Sequence, residues 1–127
     1  MPLVFKHHFT RDEASALLPR IRVWLKRLVT LRREIGNCDE IISKTISSGG
    51  DAGGSPVNRM ITALAGFNDV FGEFREREIQ VKDLDRGLID FPAIIDEKEV
   101  FLCWELDEED VTHWHDLDAG YSGREKL

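Results

Sequence analysis

A chain of 127 residues, 42% of them apolar and 32% charged, has the size of one domain that buries its own core, and its two cysteines are too few for a disulfide scaffold. Its net charge of −7 argues against general nucleic-acid binding, and no apolar run approaches the roughly 20 residues that a membrane span needs. Lys6, His7 and His8 interrupt the apolar start before a signal-peptide core can form, so the expectation is a cytoplasmic protein with Cys38 and Cys103 both reduced.

Thr10-Arg11-Asp12-Glu13 is a capping box, with Phe9 and Ala14 placed for a hydrophobic staple. From Ala14 the apolar residues recur every three or four positions through Leu17, Leu18, Ile21, Trp24, Leu25, Leu28, Leu31, Ile35, Cys38, Ile42 and Ile46. That stripe predicts one helix to about Ser47, loosened at Pro19 and bent near Gly36. Residues 47–56 (SSGGDAGGSP) hold four glycines and no apolar side chain larger than alanine, which reads as a flexible connector. The lysine and following Ser/Thr of a phosphate-binding loop are missing there. A second helix starts near Pro56 or Val57, with Ser55 able to cap it. Its stripe is Val57, Met60, Ile61, Leu64, Phe67, Phe71 and Phe74, and Val81 resumes it after the charged segment 75–78.

After Val81 the pattern changes to short apolar runs. Residues 88–95 (LIDFPAII), 100–106 (VFLCWEL) and 111–117 (VTHWHDL) read as antiparallel strands separated by turns at 96–99 and 107–110. Pro92 points to an edge or irregular position for the first of them. A competing reading makes residues 108–118 a helix. The two DLDxG segments, 83–87 and 116–120, read as turns in which Asp accepts from backbone amides and glycine takes positive φ.

KDLDRGLIDFPA (82–93), LCWEL (102–106), WHDLDAGYSGR (114–124) and FTRDEASALLPRI (9–21) resemble the signature segments of a bacterial family of uncharacterised proteins, domain of unknown function 2203. Asp107 stands where a turn glycine is expected in that family, and Tyr121 where phenylalanine is common. The resemblance implies a bacterial protein without an assigned activity, so it supplies no catalytic residues.

The sharpest candidate for chemistry is His113-Trp114-His115, because residues i and i+2 of a strand share a face. A three-residue turn at 107–109 pairs Cys103 with His113 and Glu105 with Val111. One face then carries Cys103, Glu105, His113 and His115, a set suited to zinc or another transition metal. A four-residue turn moves Cys103 and Glu105 to the other face and removes the set. The first register also puts Trp104 and Trp114 together on the face that packs against the helices, leaving His115 on a wetter one. Arg124 is expected to pair with Asp116 or Asp118. No organic cofactor is indicated, and no Ser/His/Asp or Cys/His nucleophile can be assembled from spacing.

The fold expected is α+β in a single domain over 1–127. A long antiparallel helical hairpin (about 10–81, connector 48–55) is followed by a small antiparallel β-sheet (about 82–127). Residues 1–81 hold 12 Lys and Arg against 10 Asp and Glu, and residues 82–127 hold 5 against 14, so the two parts can attract each other within one chain or between chains. The helices carry more apolar stripe than one hairpin covers. The leading expectation is therefore a non-enzymatic self-association or partner-binding module, with a homodimer favoured and neither nucleic acid nor membrane as partner. The alternative is a metal-binding protein or metal-dependent enzyme using the His113/His115 segment.

Overall fold

The computed structural model describes residues 2–51 and 53–127; Ala52, within the expected connector, lies outside them. Helix α1 (Arg11–Ser47) is followed by α2 (Ser55–Arg75). Strands β1 (Gln80–Asp83), β2 (Leu88–Ile95), β3 (Lys98–Trp104), β4 (His113–Asp116) and β5 (Glu125–Lys126) then form one antiparallel meander in chain order. The α+β arrangement and the helical hairpin are as the sequence predicts.

The capping box forms in both directions: the Glu13 amide donates to Thr10 Oγ1 at 3.1 Å, and the Thr10 amide to Glu13 Oε1 at 3.0 Å. Phe9 and Ala14 are both buried beside it, as a staple requires. α1 keeps its helical assignment through Gly36 and through Pro19, whose ring lies on the exposed side. Ser55 is the first residue of α2 rather than its cap, which falls on Gly54.

α2 stops at Arg75, earlier than the stripe suggests. The Glu78 amide donates to Arg75 O and the Ile79 amide to Phe74 O, which is a Schellman closure with Glu78 at φ 60°. Val81 therefore belongs to β1 rather than to a resumed helix. β2 lies between β1 and β3 in the sheet order, but β1 ends opposite Asp90, so at Pro92 that side of β2 has no strand neighbour, the locally edge-like position that the sequence predicts. The amide and carbonyl of one residue point to the same side of a strand. Pro92 O accepts from Phe9 N at 2.7 Å, so its nitrogen also points away from β3, past the end of β1 at Gln80, and no ladder bond is lost. A two-residue loop joins β2 to β3, with Asp96 and Glu97 at φ 50° and 67°.

β3 and β4 pair Leu102 with Trp114 and Cys103 with His113, the register that brings both tryptophans to one face. The connection between them is not a three-residue turn but the segment 105–112, with a β-turn closed by the Glu108 amide on Glu105 O. Asp107 sits in that turn without positive φ, so no glycine is required there. Residues 108–118 are not helical.

The core joins Leu18, Ile21, Leu25 and Leu28 of α1 with Val70 and Phe74 of α2 and with the inner face of the sheet: Ile89, Phe91, Val100, Leu102 and Trp104. Trp24 and Trp114 pack against it half-buried. Basic α1 is tied to the acidic half inside one chain. Arg11 reaches Val111 O and Asp110, Ser15 reaches Asp110, Arg22 reaches Leu106 O and Glu108 O, and Arg32 reaches Asp85.

The sheet accompanies only the first part of the hairpin. Beyond Arg33 on α1 and before Phe67 on α2, the described residues bond only within the hairpin, as in Arg59 on Glu34 and Cys38. This two-helix arm has Cys38 and Ala63 as its only fully buried side chains among the described residues.

Candidate functional site

The outer face of the sheet, turned away from the helices, is also buried around Asp90, Phe101, Cys103 and His115. Asp90 is the one charged residue in the apolar β2, and it stands beside Cys103 of β3. His115 of β4 lies diagonally across from both, opposite Phe101. Ligand atoms of Asp90, Cys103 and His115 lie within 4.8 Å of one another, and the residues are only 3%, 1% and 2% exposed. The wetter face that the sequence predicts for His115 is thus corrected. The chain segments flanking the sheet cover it: Phe5 rests on Phe101, and residues 117–121 follow β4 across the opening.

His115 Nε2 is 3.0 Å from Asp90 Oδ2, and Nδ1 is 2.8 Å from Asp116 O. Both ring nitrogens face acceptors, so the pair is satisfied only with a proton on each nitrogen or a proton on Asp90. Asp90 Oδ1 is buried without a hydrogen-bond partner among the described residues. Burial pushes the Cys103 thiol up to about 12, the Asp90 charge adds to the rise, and the Arg124 guanidinium opposes it only in part. A thiol so placed is not a nucleophile at neutral pH. A cavity of about 210 Å³ opens beside the three residues, walled by Leu88, Leu117 and Tyr121.

His113 shares the face with His115, but its Nδ1 is taken by Arg124 Nη2 and the Thr112 hydroxyl, with Glu108 Oε2 3.4 Å away. Glu105 lies past the end of β3, where the turn carries it off the sheet; it accepts from Arg86 and from the Tyr121 hydroxyl. Of the four residues that the sequence groups together, the structure therefore brings Cys103 and His115 into contact range and leaves Glu105 and His113 in a neighbouring network. Asp90 takes the place that the sequence reading gave to Glu105. Arg124 joins that network through Glu108 at 2.6 Å instead of Asp116 or Asp118, and Asp116 pairs with Lys98. The Tyr121 ring is flanked by Arg86 and Arg124 at 4.3 and 4.7 Å, so the hydroxyl that distinguishes it from phenylalanine has a partner.

A long helical hairpin set on a five-stranded antiparallel meander, with a buried Asp–Cys–His group on the far face, defines the class of this α+β protein. Residues 7–127 match the family described as an uncharacterized conserved protein (DUF2203), and the chain belongs to it. No curated protein and no solved structure matches the chain. Among the described residues no helix is long and apolar enough to cross a membrane.

Proposed function

We propose that this protein is a non-enzymatic self-association module whose helical arm packs against the arm of a second copy. The observation that carries this reading is the exposure of Ile41, Ile46, Ile61 and Leu64, at 41%, 61%, 59% and 48%, on an element that has no third layer among the described residues. Two helices bury only the sides they turn to each other, whereas four helices enclose a core. Ile61 and Leu64 are three residues apart on α2 and so are neighbours on one face. The opposite charges of the two halves lend no support to a contact between chains, because the basic α1 residues described above find their partners within the chain.

Light scattering at micromolar concentration tests this. The expected mass is twice the 14.6 kDa of the chain. Ile61→Glu with Leu64→Glu is expected to give a monomer with an unchanged far-ultraviolet spectrum, since both side chains are already half in solvent. Ile94→Glu, on the sheet and 46% exposed, leaves the dimer intact. A wild-type chain that stays monomeric rejects the reading.

A further inference from the structure

We propose that Asp90, Cys103 and His115 bind a divalent transition-metal ion of the zinc type, with the fourth coordination position open to the adjoining cavity. A carboxylate, a thiolate and an imidazole are the donor types that zinc takes, and three protein ligands with one open position is a recurrent arrangement. Ligand atoms around a tetrahedral zinc lie about 3.3–3.6 Å apart by bond length. The present spread of 4.8 Å closes to that by a contraction of roughly 1.2–1.5 Å.

Three further observations point the same way. Asp90 Oδ1 is a buried acceptor with no partner among the described residues, on a side chain 4% exposed, and a cation supplies what it lacks. His115 is already oriented as a ligand: Nδ1 meets the Asp116 carbonyl, the outer contact that fixes a metal-bound imidazole, and Nε2 is turned to the other two donors. The charges also close. A divalent ion with the Asp90 carboxylate, the Cys103 thiolate and a neutral His115 sums to zero, so burial carries little penalty. The ion takes the place of the thiol proton and of the proton shared by His115 and Asp90. The cavity of about 210 Å³ leaves room for a water or a small ligand at the fourth position.

The 127-residue chain, stripped with chelator, is titrated with Co²⁺ alone and then with Zn²⁺ in competition. One Co²⁺ per chain is expected, with a tetrahedral visible spectrum and a thiolate-to-cobalt band in the near ultraviolet. Cys103→Ser removes that band. Asp90→Asn raises the zinc dissociation constant by more than about 100-fold, beyond what the loss of an outer contact gives. His113→Gln and Glu105→Gln leave it unchanged. Absence of stoichiometric uptake, a bound-cobalt spectrum without the thiolate band, or equal weakening by His113→Gln and Asp90→Asn overturns the proposal. The wild-type spectrum decides the matter even where a cluster variant fails to fold.

Discussion

His115 is buried and spans a carboxylate and a carbonyl, so its removal does more than delete a ring. In His115→Ala, measured in the presence of chelator, the buried Asp90 side chain loses its hydrogen-bond partner and the ring leaves a cavity, together about 3–5 kcal/mol. Trp104→Ala removes a fully buried indole that also donates from Nε1 to Glu108 O and lies under Arg22, at a cost of about 3–5 kcal/mol. Urea denaturation is therefore expected to give comparable losses for the two variants. Asp90→Asn costs less when added to His115→Ala than it does alone, because the two side chains share one hydrogen bond; no such coupling links Asp90 to Trp104. Period-two alternation made Trp104, Trp114 and Cys103 legible in the sequence, since Val100, Leu102 and Trp104 mark the inner face and the next residues the outer one. Asp90 was missed for a different reason. Its only signal is a single carboxylate inside the apolar run LIDFPAII, and its partner across the sheet is 25 residues away.

The N-terminal segment shows how an element can be fixed with no periodicity of its own. Its amides find carboxylates rather than a ladder: Val4 and Phe5 donate to Glu99, and Lys6 and His7 to Glu78. Phe9 then enters the core against Phe91. Glu78 occupies the left-handed position of the Schellman closure, where glycine costs less, and its side chain accepts both amides there. Burial pushes the Glu99 carboxyl up, but the Val4 and Phe5 amides and His8 outweigh it and hold the group below its ordinary value of 4.5. A carboxyl lowered by folding adds stability above its ordinary pKa, and that contribution fades as pH falls through the lowered value. Amide resonances of Val4 and Phe5 are thus expected to keep their docked shifts down to pH 4.5 and to move below it. In Glu99→Gln they lie at undocked positions at neutral pH as well. A transition well above 4.5 in the wild type contradicts the latch. Contacts across more than 90 residues leave no trace in local pattern, which is why this segment was not legible while the capping box immediately after it was.

At the scale of the whole molecule, the same hairpin plays two parts. Its first half is one wall of a core closed by the sheet, and its distal half is a pair of helices with water on both remaining sides. The helical stripe was readable over its full length because it repeats without a break. Where the third layer ends was not, because the period of a stripe says nothing about what covers it. Local opening is governed by buried contact, so an unpartnered arm opens more easily than the sheet. Amides of residues 36–46 and 58–66 are expected to exchange faster than those of β2 and β3 in dilute solution. Packing of two arms adds protection by mass action, so the arm's exchange slows as protein concentration rises, by about tenfold for each 1.4 kcal/mol gained, while β2 and β3 show no comparable change. Exchange in the arm that is independent of concentration over the micromolar range, or arm protection lost in the Ile61→Glu, Leu64→Glu variant no more than in Ile94→Glu, would place the contact between copies elsewhere on the molecule.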